Sequence, residues 1–506
     1  MSNPNPPTTA APLPRWFLGL GLLALAVYAF FLGRTATTVA GGADSSGYLN
    51  SARLLTEGRF LAEMRLPAEF GPAANLDRMH FLPQGFYPYA AEARYTPTYP
   101  TGLPLHFALA GSLFGWRAGP LLVVIFAAVG AVWLCYASAR ELGLAPPLAA
   151  VGAAMLGTFP VFLFTSLQPL SDTLATTWTV AALYAALRSR RHRAWALAAG
   201  GAFGLAVLVR PTNLLFAPAL LILFGFDWRR LALYVAGGLP SAAWLAAYNH
   251  TLYGSALRSG YGDIFAAFGV AYGAPTALHF VKWLGLLLPA AVLVLPLAAL
   301  TRPDHRRELL ALAVGFFAIT GVYAFYEVSH EVWWCLRFIL PAVPALILAA
   351  LLGVDSLMRR STRLRRLAVA VLALWTVVNA YAWTRRFDIL LIPGYENVYA
   401  RAALDARARL PANALVVTNA FSGTLYFYSE LAVLRYDQVE PPAFARYAAL
   451  ATQARRPVCA LLFDWEEKEA LQTRCPGNWT RLATVANVGL WQLNPSGPTP
   501  AAPAAK

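Results

Sequence analysis

Long apolar segments recur along most of the chain, separated by short polar loops. About eleven of them approach the ~20 residues that a helix needs to cross a bilayer. They lie near 16–33, 118–138, 145–165, 173–188, 194–210, 213–227, 231–248, 282–300, 308–326, 338–356 and 367–383. The pattern predicts an all-α polytopic membrane domain over residues 15–383.

One connection, residues 34–117, is much longer than the usual loop between two helices. Near its start, Leu49, Ala52 and Leu55 are spaced three residues apart, which predicts an amphipathic helix on the membrane surface, closed by Gly58. Near its end, residues 94–104 contain three prolines and two tyrosines, which predict a stiff turn leading into the next helix.

The pattern changes after about residue 384. Apolar runs at 415–418, 458–463 and 488–493 are typical of strands. A helical segment at 399–410 precedes the first of them. Residues 384–494 are therefore predicted to form a small α/β domain. The Pro-rich ends, 1–14 and 495–506, are predicted to be disordered.

Composition and charge support a membrane protein. Of the 506 residues, 58% are hydrophobic and 13% are charged, against about 25% charged in soluble domains. The net charge of +15 comes largely from arginines in short loops, the positive-inside signature, so we expect no nucleic-acid partner. The clusters are Arg188, Arg190, Arg191, Arg193; Arg229, Arg230; Arg302, Arg306, Arg307; and Arg359, Arg360, Arg363, Arg365, Arg366.

This charge placement predicts an orientation. If the N-terminus is cytoplasmic, all four clusters lie on the cytoplasmic side, and residues 34–117, 249–281, 326–337 and everything after 384 lie outside. The expected location is a bacterial inner (plasma) membrane, with multiple spans and an extracytoplasmic C-terminal domain.

The four cysteines carry no motif, because none forms a CxxC pair that would indicate zinc or redox chemistry. Cys459 and Cys475 both fall in the predicted C-terminal domain. A disulfide and two buried thiols are both compatible with the sequence.

Asp44 is the main candidate for chemistry. It lies in Gly41-Gly42-Ala43-Asp44-Ser45-Ser46-Gly47, just after the first apolar segment. Charge is costly near hydrocarbon, but a carboxylate that faces a polar cavity can act as a base. The alternative is an N-cap of the following helix, although Ser45 or Ser46 could also cap it.

The residues around Asp44 resemble the first external loop of GT-C membrane glycosyltransferases, which include the protein O-mannosyltransferases and the aminoarabinose transferases of lipid A. Four further stretches are similar to elements of that family, and together they cover most of residues 15–350. The matching positions are Asp44, Tyr48, Leu49, Ala52, Leu55, Gly58; Tyr99, Pro100, Gly102, Pro104; Arg210, Pro211; Tyr248, Asn249, Gly254, Gly260, Tyr261; and Arg337, Phe338, Pro341.

The resemblance implies a sugar donor linked to a polyprenyl phosphate, and transfer with inversion to a hydroxyl of a glycolipid, glycan or protein on the external face. Asp44 is implied to be the general base. Arg337 and, more weakly, Arg210 are implied to bind the leaving phosphate, since charge develops there. Snorkelling to lipid head groups is the other interpretation of Arg337.

The resemblance also marks Asp172, Tyr48 and Tyr99, and one outer loop adds three further candidates. Asp172 opens an apolar span and is either a donor-site residue or a helix cap. Tyr48 and Tyr99 are candidates for donor or acceptor contacts. A divalent metal or an acceptor contact is possible at Glu327, His330 and Glu331, where a solvated loop is the alternative; no other cofactor is expected.

Two departures from the family pattern leave metal, sugar and acceptor open. The protein O-mannosyltransferases carry a second acid directly after the catalytic one, where this chain has Ser45. The aminoarabinose transferases carry Glu-Lys-Pro where this chain has Tyr95-Thr96-Pro97. The chain is therefore closer to a broad bacterial branch of the superfamily.

Two other function classes compete. A transporter or flippase for a lipid-linked saccharide should show internal repeats, broken helices and charges near the membrane midplane, whereas the polar residues here collect in one loop. A non-catalytic assembly protein would use its C-terminal domain to recruit partners.

Overall fold

The computed structural model describes residues 15–70, 76–89, 93–359 and 361–494. The predicted disordered ends and Arg360 lie outside the described residues. The described helices are α1 Arg15–Thr35, α2 Ala43–Thr56, α3 Gly102–Glu141, α4 Pro146–Thr158, α5 Pro160–Ser166, α6 Ser171–Arg188, α7 Trp195–Val209, α8 Ala217–Phe224, α9 Trp228–Tyr253, α10 Gly273–Leu287, α11 Leu295–Ala299, α12 Arg306–Tyr323, α13 Val343–Met358, α14 Thr362–Arg386, α15 Ile392–Arg409, α16 Ser422–Tyr428, α17 Pro441–Gln453 and α18 Asp464–Glu467.

The strands are β1 Ala62–Glu63, β2 Phe86–Pro88, β3 Arg94–Pro97, β4 Leu415–Val417, β5 Ala432–Leu434, β6 Val458–Phe463, β7 Trp479–Val485 and β8 Val488–Leu493.

The chain divides into two compact units. The helical unit comprises Met1–Ala36, Leu121–Ala247 and Asp263–Leu390, and the mixed unit comprises Thr37–Pro120, Tyr248–Gly262 and Leu391–Lys506. The domain boundaries predicted from the sequence stay predictions.

The helical unit is built around one large core of Leu, Ala, Val and Phe side chains. Close helix packing depends on small residues: a Cβ added at Gly200 of α7 or at Gly237 of α9 would collide with the backbone of the other helix. Glycines that let helix backbones approach in this way are typical of packing inside a bilayer, where apolar side chains alone give little preference for a partner.

Among the described residues, five helices are long and apolar enough to cross a membrane, or six if a bent pair is one span. They are Arg15–Thr35, Gly102–Glu141, Trp228–Tyr253, Trp333–Met358 and Thr362–Arg386. The eleven spans of the sequence prediction are therefore not confirmed as a count. Predicted span 145–165 is the pair α4 and α5, bent by 58° at Pro160, because proline cannot continue the helical hydrogen bonds.

The C-terminal part of the mixed unit contains a five-stranded sheet in the order β5-β4-β6-β8-β7. β4 pairs in parallel with β5 and β6, while β8 is antiparallel to β6 and β7. Apolar cores cover both faces, so β6 is buried along its whole length. The predicted small α/β region is thus present, with the strand predictions at 458–463 and 488–493 matching β6 and β8.

The sheet also decides the state of the two C-terminal cysteines. Cys459 points into the core that contains Leu461, whereas Cys475 belongs to the core that contains Ala460 and Leu462. Successive strand residues face opposite sides, so the two thiols lie on opposite sides of the sheet. All four cysteines are buried and free.

The other sheet of the mixed unit is antiparallel, in the order β1-β3-β2. The helix predicted near Asp44 is present as α2, and Gly58 adopts a φ of +68° just past its end. The expectation of a surface amphipathic helix is wrong, since nine of its fourteen residues are buried. Small residues explain the difference: Gly47 lies against Gly85, and the Asn50 side-chain amide donates to the Gly423 carbonyl at 3.0 Å.

Candidate active site

Asp44 lies in the first turn of α2, where a carboxylate is stabilised by the helix dipole. The N-cap residue is Gly42, with a φ of +43° that favours glycine, so Asp44 is not the capping residue. Ser45 and Ser46, the two alternative caps, are buried within the helix. The interpretation of Asp44 as the helix N-cap is therefore wrong.

Tyr99 and Tyr48 line the same site. The Tyr99 hydroxyl donates a hydrogen bond to the Asp44 carboxylate. The rings of Tyr48 and Tyr99 are 4.8 Å apart, and Tyr261 makes an edge contact with Tyr99 at 6.1 Å. Burial, and then the charge of Asp44, raise the pKa of Tyr99 well above its ordinary value, so this residue remains a neutral donor at physiological pH. Asp44, Tyr48 and Tyr99 are thus brought together.

A second carboxylate, Glu396 of α15, belongs to this acidic site and was not found from the sequence. Its carboxylate packs directly against the bare Cα of Gly41. The neighbouring Asn397 contacts the segment before α2, where the Thr37 hydroxyl donates a 2.7 Å hydrogen bond to the Asn397 side-chain oxygen. Burial, and then the charge of Asp44, raise the pKa of Glu396 to about 7. No motif marks it, since it lies in a helix after the last apolar span.

Glu396 should make stability depend on pH. Its pKa rises from 4.5 to about 7 on folding, so between these values the folded state holds a proton that the unfolded state releases. The stabilisation is full below pH 4.5, is lost as pH rises towards 7, and amounts to on the order of 2–3 kcal/mol. We expect Glu396→Gln to flatten the fall in melting temperature between pH 5 and pH 8. A variant whose melting curve shifts with pH as the wild type does would contradict the assignment.

The contact between Gly41 and Glu396 gives a further prediction. A methyl group at residue 41 would overlap the carboxylate and lie 3.2 Å from its Cδ and 3.3 Å from a ring carbon of Tyr399. Gly41→Ala should therefore displace Glu396 and destabilise the mixed unit by about 1–3 kcal/mol. Gly58→Ala is a poor control because φ is positive there, whereas Gly394→Ala has open space around its Cβ. Equal melting temperatures for Gly41→Ala and Gly394→Ala would refute this packing.

The helical unit holds a separate group of site residues, the arginine site, formed by Asp172, Arg210 and Arg337. Asp172 is 2% exposed and lies in the first turn of α6, whose N-cap is Leu170. Arg210, the C-cap residue that follows α7, forms an ion pair with Asp172. The cation at a helix C-terminus and the anion at a helix N-terminus each suit the local dipole.

Arg337 completes this site. One of its terminal nitrogens is 3.9 Å from the Asp172 carboxylate, and its carbonyl accepts a hydrogen bond of 3.2 Å from Arg210. The ring of Phe338 lies 5.8 Å from the Arg210 guanidinium carbon and 5.3 Å from that of Arg337. Two guanidinium groups and one carboxylate leave one positive charge in excess, which suits an anionic group such as a phosphate.

The candidates at 327–331 are not grouped as metal ligands, and an acceptor contact there stays a prediction. Glu327 and Glu331 are exposed, and the ring of His330 lies 5.9 Å from that of Tyr272 and 3.5 Å from the Thr276 hydroxyl. Across the described part of the chain, no three His, Cys, Asp or Glu side chains are grouped closely enough to hold a metal ion. The residues present do not fit a metal here.

Comparisons with known proteins agree with this fold. Residues 100–255 match the family model of dolichyl-phosphate-mannose-protein mannosyltransferases. The crystal structure of ArnT from Cupriavidus metallidurans bound to undecaprenyl phosphate is similar, with a TM-score of 0.55 and 14% identity, and the match covers 96% of this chain and all of that one. No curated protein sequence matches the chain significantly.

Two other solved structures share the fold. One is the Archaeoglobus fulgidus oligosaccharyltransferase tethered to an acceptor peptide with an NVT sequon, at a TM-score of 0.54 and 13% identity, covering 94% of this chain and 74% of that chain. The other is the mycobacterial arabinofuranosyltransferase AftD, at 0.53 and 14%, covering 96% of this chain and 42% of that chain. The chain therefore shares the fold of these glycosyltransferases, and residues 100–255 also match the mannosyltransferase family model.

Proposed function

We propose that this protein is an inverting glycosyltransferase that moves a sugar from a polyprenyl-phosphate donor to an acceptor hydroxyl. The observation that carries the proposal is the acidic site, in which Asp44 sits at the start of a buried helix and accepts a hydrogen bond from Tyr99. A carboxylate that is positioned by hydrogen bonds can act as the general base that removes a proton from a hydroxyl.

The proposed reaction needs one base. The acceptor hydroxyl loses its proton to Asp44 as its oxygen attacks the anomeric carbon. The bond between that carbon and the donor phosphate oxygen breaks, and the lipid phosphate leaves with the electron pair. A neutral Tyr99 holds the Asp44 carboxylate in one orientation, and Tyr48 supplies an aromatic face for a sugar ring.

The arginine site supports the donor assignment. Charge grows on the phosphate as it leaves, and fixed guanidinium groups stabilise that charge without reorganisation. Arg210 and Arg337 are the proposed phosphate ligands, and Asp172 holds Arg210 in place. The structures of ArnT with undecaprenyl phosphate and of an archaeal oligosaccharyltransferase with dolichol phosphate are consistent with a polyprenyl-phosphate ligand in this superfamily.

We further propose that transfer occurs on the extracytoplasmic face of a bacterial inner membrane. The support is the arginine distribution, which puts residues 34–117 and the C-terminal part outside under the positive-inside rule. The acceptor is a glycan, lipid or protein hydroxyl. The sugar is a hexose or a pentose.

The competing function is a flippase for a lipid-linked saccharide. The two are separated by incubating the purified full-length protein in lipid nanodiscs with a panel of polyprenyl-phosphate hexoses and pentoses, followed by mass spectrometry of the lipid. A transferase consumes at least one donor, by transfer or by slow hydrolysis, and releases the free polyprenyl phosphate. A flippase leaves every donor intact but moves labelled donor across the bilayer of proteoliposomes.

A further inference from the structure

Two carboxylates share the acidic site, although the reaction proposed above needs one. Glu396 lies on α15, and its carboxylate packs against Gly41, which precedes Asp44 closely in the chain; burial and then the charge of Asp44 raise its pKa. A side chain at residue 41 would overlap the Glu396 carboxylate, so glycine at this position leaves the space that Glu396 occupies. The anchoring of Asn397 to Thr37 fixes the same stretch of helix.

We infer that Glu396 is a positioning residue that controls, through its own charge, how strongly Asp44 acts as a base. This inference rests on the proposed function. Two carboxylates in one partly buried site oppose each other's ionisation, so each holds a proton more tightly when the other is charged. The coupling is reciprocal, because the free energy of interaction belongs to the pair. Asp44 is therefore a stronger base when Glu396 is ionised.

Within the described part of the chain, the groups that face Glu396 are one acid, two tyrosines and one arginine. Asp44 faces it from α2, and Tyr399 lies one turn along α15. From α16, the Tyr428 hydroxyl accepts from the Ala40 backbone. β7 also packs on α15, but its Arg481 is paired with Glu467 at 2.6 Å. The charge that acts on Glu396 is that of Asp44.

The result is a pH response close to neutrality. Burial and the neighbouring charge raise the pKa of Glu396 to about 7, so Glu396 changes charge near neutral pH. Donor consumption is expected to rise as the pH passes from 6 to 8. The apparent midpoint belongs to the coupled pair and not to either residue alone.

The test is the pH profile of donor consumption by Glu396→Gln, measured on the full chain with the consumed polyprenyl-phosphate sugar from the panel. The matched control is Glu430→Gln, which removes a carboxylate of the same unit that is 90% exposed. We expect Glu396→Gln to lose the rise near pH 7 and to turn over about threefold to tenfold more slowly at pH 8, while Glu430→Gln follows the wild type. Glu396→Asp keeps the charge and should restore the rise.

The outcomes separate this inference from the proposed function. A wild-type protein that consumes no donor defeats the proposed function itself. A wild type that is active, with Glu396→Gln keeping the wild-type profile, overturns the role of Glu396 alone. Equal and pH-independent losses in Glu396→Gln and Glu396→Asp would also overturn it, since they indicate a packing role.

Discussion

Asp44→Asn is expected to reduce donor turnover by a factor of about 10²–10⁴, the usual contribution of a positioned general base. The amide has nearly the same shape as the carboxylate, and its oxygen can still accept from the Tyr99 hydroxyl. The folded structure and donor binding should therefore persist. The loss should appear in turnover rather than in the affinity for the donor, because the proton is taken only as the bond forms.

Single-turnover donor consumption and binding of undecaprenyl phosphate, measured on the same preparation, check this result. The control is Asp405→Asn, which removes a carboxylate that pairs with Arg409 one turn along α15. Such an exposed pair contributes little, so turnover should be unchanged. If Asp44→Asn kept more than about a tenth of the wild-type rate, the assignment of Asp44 as the base would fail.

Asp172→Ala should have the largest effect on stability. It removes a carboxylate that is 2% exposed and that faces both Arg210 and Arg337. Deleting one partner of a buried ion pair typically destabilises a protein by about 3–5 kcal/mol, because the remaining charge keeps its desolvation penalty. The two arginines would also repel each other, so the arrangement proposed for the donor phosphate should be lost.

Thermal unfolding in detergent with and without undecaprenyl phosphate measures this effect. Glu327→Ala, at an exposed position in the same unit, is the matched control and should unfold as the wild type does. In a double-mutant cycle, Arg210→Ala combined with Asp172→Ala should be less destabilising than the sum of the two single changes. Additive effects would show that Arg210 and Asp172 do not depend on each other.

Much of the mixed unit could be predicted from residue patterns. The apolar runs of β6 and β8 and the helical spacing after Asp44 are local signals, and all three elements are present. The environment of α2 could not be predicted, because burial of Ser45, Ser46 and Asn50 depends on Gly85 and Gly423, which are distant in sequence. Periodicity reports the face of a helix but does not identify what covers it.

The candidate site shows the same division. Asp44 stands out in the sequence because a charge beside an apolar segment is costly, whereas Asp172, Arg210 and Arg337 are indicated by the family resemblance. Neither an apolar segment nor a family motif indicates Glu396 in the sequence, since its helix follows the last apolar span and contains ordinary surface residues. Its role depends on a contact with Gly41 across about 350 residues of chain, which only the folded structure provides.

The stereochemistry of the product tests the central claim most directly. One base that activates an acceptor hydroxyl gives a single displacement, so the anomeric configuration of the transferred sugar must be opposite to that of the donor. Proton NMR of the purified product, made from a donor of defined configuration, reads this from the anomeric coupling constant. Inversion is the predicted result. Retention would exclude a single in-line displacement, and it would contradict the role proposed for Asp44 as the base of that step.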